Sequence, residues 1–129
     1  MAPLPPPSPL PEFVYKITPT APPDPIPEQY PLSDLDRQDG FVHLSVSWQL
    51  PITADLFFKD STSFYLLKLR LAKFNSSVVK WDEVEGTNGC PHLYGNFGAN
   101  DVVSVREFRR GEGQTWKEAL GAEEGWLEY

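Results

Sequence analysis

The chain holds two histidines, His43 and His92, far apart in sequence but each in a short extended stretch with apolar neighbours. An imidazole both donates and accepts hydrogen bonds and titrates near neutral pH. Two of them in one place suit proton transfer or recognition of a polar ligand. Phe41 to Val46 alternates, with Val42, Leu44 and Val46 on one face and Phe41, His43 and Ser45 on the other. The aliphatic face must meet the core, which turns His43 and Ser45 together to the opposite side. In Cys90 to Tyr94, Leu93 takes one face and Cys90, His92 and Tyr94 take the other. If both strands flank one cleft, His43 and His92 are the candidate catalytic groups, and Ser45, Thr53 and Tyr94 the candidate ligand-binding groups. The hydroxyls of Ser45 and Thr53 could hold a phosphate or a ribose, and the Tyr94 ring could stack on a flat ligand. The same residues admit a structural account. A buried neutral histidine bonded at both nitrogens is a common latch. Tyr94 suits a corner, Ser45 a strand end, and Pro91 with Gly95 a rigid turn.

Other chemistry is thinly provided. Cys90 and His92 are the only locally spaced soft-metal pair and no C-x-x-C accompanies them, so no metal site is expected. A Cys90–His nucleophilic dyad would need a helix N-terminus or a cation to lower the thiol pKa, and no helix is expected there. No GxGxxG or Walker segment occurs, and Gly111-Glu112-Gly113 reads as a turn. Arg109-Arg110 stands near Glu107 and Glu112, which favours ordinary surface pairing.

These side chains are carried by 129 residues, enough for one domain. Twelve of the 14 prolines fall in the first 31 residues, and every aromatic residue lies at or beyond Phe13. Residues 32–129 can therefore build an aromatic-rich core without a disulfide or metal staple. The single cysteine excludes an intrachain disulfide and suggests a reducing, cytoplasmic setting. A net charge of −7 and a pI near 4.7 argue against DNA or anionic membranes as partners. No apolar run approaches a membrane span, and Met1-Ala2-Pro3 does not open a secretory leader.

Residues 1–12 predict a solvated polyproline tail, because proline fixes φ and lacks a donor. A single domain follows over 13–129, with 18–31 as a proline-rich connector. Strands are expected at 13–17, 41–46, 64–71, 78–81, 90–94 and 102–108. A helical turn is expected at 32–36, broken at Asp39-Gly40. Further helical pieces are expected at 47–58, capped by Ser47, and at 115–120, closed by Gly121. In the second long strand Tyr65, Leu67, Leu69 and Leu71 should face inward and Lys68 and Arg70 outward. Either Phe57 or Phe58 should point inward. Strands outnumber helices without a regular βαβ alternation, so the class is α+β.

Four pieces taken together carry a resemblance: Tyr15-Lys16-Ile17; Asp39-Gly40-Phe41-Val42-His43-Leu44-Ser45; Gln49 with Thr53-Ala54 and Phe57-Phe58; and Pro91-His92-Leu93-Tyr94-Gly95. Their order and spacing resemble the family called domain of unknown function 952, and the proline-rich connector resembles its fungal members. The resemblance runs over residues 14–109. It departs from common members in the connector, which replaces a Trp-bearing helix, and at Cys90, where Phe is usual. It implies a fold similar to ADP-ribosyltransferases, with two small, mostly antiparallel sheets around a cleft that holds NAD in active relatives.

Three functions follow as expectations. The first is an ADP-ribosyltransferase-like enzyme or nucleotide binder, with NAD as a substrate and no bound cofactor required. The second is a non-catalytic module that meets a protein partner. The third is an enzyme acting on another phosphorylated small molecule. A monomer is expected in each case.

Overall fold

The computed structural model describes residues 3–129, and its class is α+β. Seven strands form two antiparallel sheets, joined by three short helices and several 3-10 turns. The strands are β1 (Pro3–Leu4), β2 (Phe13–Thr18), β3 (Val42–His43), β4 (Ser63–Arg70), β5 (Val79–Asp82), β6 (Cys90–Leu93) and β7 (Val102–Arg109). The helices are α1 (Asp34–Asp39), α2 (Leu50–Phe57) and α3 (Trp116–Gly121). One sheet has the order β1-β5-β6-β3 and the other β2-β4-β7.

The β2-β4-β7 sheet is apolar on both faces. Val14, Leu67 and Leu69 pack toward the other sheet against Val42, Trp81 and Leu93. Phe13, Tyr15, Phe64 and Leu66 pack on the opposite side against Leu50 and Trp116 from the helices. The expected inward positions Leu67 and Leu69 are buried, yet Lys68 is buried too, contrary to expectation. Its ammonium donates to the Trp126 carbonyl at 2.9 Å and pairs with Glu128. The chain end thus supplies the partners that burying the charge requires. Lys16 shares the face of Val14 and points between the sheets.

The strand expected over 41–46 is cut short. Leu44 N–H donates to Pro91 O at 3.1 Å, and Pro91 has no N–H to return the bond. The ladder with β6 therefore covers only Val42 and His43, after which Ser45 bridges to Tyr15 of the other sheet. Residues 41–46 are thereby a crossover between the sheets. Gln49, rather than Ser47, organises the next turn. Its side chain accepts from Val46 N–H and donates to the carbonyls of Thr87 and Gly89. Pro51 sits in the first turn of α2, where no N–H is missed. Phe58 packs on the helix-side core, whereas Phe57 stays 53% exposed. Thr115 caps α3 in a reciprocal box with Glu118, and Gly121 lies inside that helix rather than after it.

The proline-rich segments are laid on the fold. Pro3 and Leu4 pair with Asp82 and Trp81 as an edge strand, and the Tyr129 hydroxyl donates to Pro9 O at 2.7 Å. This corrects the expectation of a solvated tail over residues 3–12. A proline can take an edge strand because one side of that strand needs no donor. Met1 and Ala2, on which the rest of the tail and the expected lack of a secretory leader fall, lie outside the described residues. The connector is seated through Tyr30, whose ring stacks on Phe97 at 4.8 Å. It approaches Gly98 so closely that a Cβ there would lie 1.7 Å from Glu28 O. Among the described residues no helix is long and apolar enough to cross a membrane.

Candidate functional site

The site begins at α1. Ser33 caps it, its hydroxyl accepting from Asp36 N–H, and Gly40 ends it in the left-handed region at φ 81°. This single turn and a half aims two carboxylates at the strand that follows. Asp36 Oδ1 lies 2.6 Å from His43 Nδ1, and Asp39 Oδ2 lies 2.9 Å from His43 Nε2. Asp36 also takes a 2.7 Å ion pair from Lys16 Nζ. Both ring nitrogens of His43 face carboxylates, so both bonds form together only on the doubly protonated ring. Burial alone would raise the Asp36 pKa. The hydrogen bonds from His43 and the charge of Lys16 outweigh it and hold the carboxyl below its usual range. Burial pulls the Lys16 ammonium down, and Asp36 opposes that shift.

His92 stands directly opposite His43 in the β3–β6 register. It is 2% exposed, and its Nδ1 lies 2.8 Å from Asp82 Oδ2. A carboxylate can only accept, so the ring proton sits on Nδ1. Nε2 then keeps its lone pair and has no hydrogen-bond partner among the described residues. Burial pushes His92 below its ordinary pKa, the Asp82 bond opposes this, and His43 adds to it. Phe41 stacks flat on the His92 ring at 4.2 Å.

His43, His92, Ser45 and Thr53 share the wall of one cavity of about 290 Å³, together with Lys16 and Asp36. Ser45 and Thr53 hydroxyls lie 3.0 Å apart, and Thr53 also reaches the Gln49 carbonyl at 3.3 Å. If Thr53 donates to that carbonyl, Ser45 donates to Thr53, and acceptor lone pairs remain for a ligand. Four of the five expected site residues thus line one space. Tyr94 does not. Its hydroxyl donates to Asp82 Oδ2 at 2.8 Å and its ring is off the cavity wall, so the flat surface over His92 belongs to Phe41. Partial burial and the Asp82 carboxylate push the Tyr94 phenol up to about 12. The two imidazoles also differ from expectation in placement. They are neighbours on one wall, with ring centroids 5.2 Å apart, rather than facing each other across a groove. Cys90 lines the same cavity, and burial raises its thiol despite a hydrogen bond with Thr87.

Sequence reasoning missed Lys16, Asp36, Asp39 and the pairing of Asp82. Two signals were present: a lysine inside the apolar run Phe13–Ile17, and acids three apart in the turn just before the His43 strand. Only the folded chain shows that they meet.

The family described as "Protein of unknown function (DUF952)" matches residues 25–105, a span that contains both histidines and Asp36, Asp39 and Asp82. No curated protein matches the chain. The crystal structure of protein CC0527 from Caulobacter crescentus is similar, with a TM-score of 0.71 and 25% identity over 86% of this chain and 96% of that one. A solution NMR structure of the same protein gives a TM-score of 0.66 and 26% identity over 87% and 96%.

Proposed function

We propose that this chain, which belongs to the DUF952 family, binds a small ligand built on a flat ring joined to a ribose, the unit that nucleosides, nucleotides and NAD share. His92 serves there as the proton-accepting group. The observation that carries this is the Asp82–His92 pair: His92 lines the same cavity as Ser45 and Thr53, and with Nδ1 held by Asp82 its Nε2 has no hydrogen-bond partner among the described residues. A carboxylate behind an imidazole fixes its tautomer and orientation, and a depressed pKa keeps the ring neutral and able to take a proton. The cavity volume suits a ring and a sugar, and its apolar walls, Ile17 and Val84 among them, suit the ring's faces. The resemblance to ADP-ribosyltransferases expected from the sequence points to the same ring-and-ribose unit, which NAD contains.

A second reading is a non-catalytic module that receives a protein partner. Leu35 and Phe57, 41% and 53% exposed, form an apolar rim at the cavity mouth and favour it.

The test is an NMR titration of the full chain with NAD, nicotinamide riboside and adenosine. Saturable shift changes at His43 and His92 are expected for at least one of them, and His92→Gln should weaken that binding at least tenfold. No change with any of the three at millimolar concentration would overturn the ligand-binding reading and leave the module.

A further inference from the structure

Charge decides which members of this ligand class can enter. Resting on the function just proposed, we infer that the cavity takes the unphosphorylated nucleoside, neutral or cationic, and turns away its phosphate ester.

Among lysines and arginines only Lys16 lines the cavity, and its ammonium is committed to Asp36 at 2.7 Å and to the His43 carbonyl at 3.4 Å. The five arginines are engaged elsewhere. Arg37, Arg70, Arg106 and Arg109 pair with Asp34, Glu12, Glu123 and Glu107, and Arg110 donates to the carbonyls of Ser61 and Lys59.

Lys16 is matched by Asp36, while Asp39 faces the His43 ring and Asp82 faces His92, so the acidic side chains around the cavity outnumber its one lysine. The start of α1 offers no substitute. Its first turn already carries Asp34 and Asp36, and the Ser33 hydroxyl accepts the Asp36 N–H. Glu83 and Glu85 flank Val84 of the wall, and the whole chain carries −7.

A phosphate entering here would shed its hydration without gaining a cation. An uncharged sugar loses nothing comparable and finds the Ser45–Thr53 hydroxyls and His92 Nε2. A cationic ring gains from the acidic field.

The experiment is calorimetric titration of the full chain at fixed ionic strength with adenosine, adenosine monophosphate, nicotinamide riboside and nicotinamide mononucleotide. At least one nucleoside should saturate, with its phosphate ester bound at least tenfold more weakly. Leu35→Arg, an exposed change at the mouth, should narrow that gap. Phosphate esters bound as tightly as or tighter than their nucleosides, or a gap that Leu35→Arg leaves untouched, would overturn this inference while the proposed function stands. No binding by any of the four would overturn both.

Discussion

His43 and His92 occupy paired positions on adjacent antiparallel strands, with their rings 5.2 Å apart and edge to face. Leu44 N–H bonds to Pro91 O, which places the histidine pair at the narrow, non-hydrogen-bonded position of the ladder, where side chains approach most closely. Two cations so near would repel. The carboxylates resolve this by assigning unequal roles. Asp36 and Asp39 bracket His43 at both nitrogens, whereas Asp82 holds His92 at one.

That inequality has a pH signature. The folded chain holds the His92 proton less tightly than the unfolded chain, whose value is near 6.5. The unfolded state therefore binds more protons in this window, and stability falls as pH drops below about 6.5 until the folded pKa is passed. Each unit of depression contributes about 1.4 kcal/mol. Denaturant unfolding measured from about pH 8 downward should show this slope in the parent chain and a reduced slope in His92→Gln. Equal slopes would contradict the account.

Lys16 and Asp36 form a buried pair, with side chains 9% and 2% exposed. Asp36→Asn leaves the ammonium without its counter-charge and should cost roughly 3–5 kcal/mol. Lys16→Met should cost less, because His43 still donates to Asp36. The double variant should be more stable than the two single costs imply, by roughly 1–3 kcal/mol. Additive costs in a denaturation series would mean that the pair is not coupled.

The β-branched and aromatic run Phe13–Ile17 and the alternation around both histidines made those strands legible in the sequence, and the break at Asp39-Gly40 marked the end of one helix; the helical piece at 115–120 was legible too, but not that Thr115 caps it and Gly121 lies within it. The half of the site carried by local alternation was legible as well: His43 with Ser45 on one face, and His92 set against Leu93. The carboxylates were not, because Asp36, Asp39 and Asp82 reach the imidazoles only through pairings that no short-range period encodes. Tyr94 was misplaced for the same reason. Its face was read correctly, but the acceptor that draws it from the cavity lies twelve residues earlier. The proline-rich start misled because composition describes an isolated chain, whereas Leu4 has a seat on Gly89, where a Cβ would come within 3.2 Å of it.

That seat predicts a cost for truncation. Removing residues 1–10 uncovers the edge of β5 and the ring of Trp81, and should lower unfolding stability by about 1 kcal/mol or more at the apolar area involved. A freely solvated tail would leave it within about 0.5 kcal/mol. Chemical denaturation of the two chains decides between them.

The most direct test is ring-nitrogen NMR of His92 in the full chain at neutral pH. The proton should be found on Nδ1, with Nε2 bare and shifting when a nucleoside is added. A proton on Nε2, a doubly protonated His92 at neutral pH, or an Nε2 signal indifferent to every nucleoside would contradict the central claim.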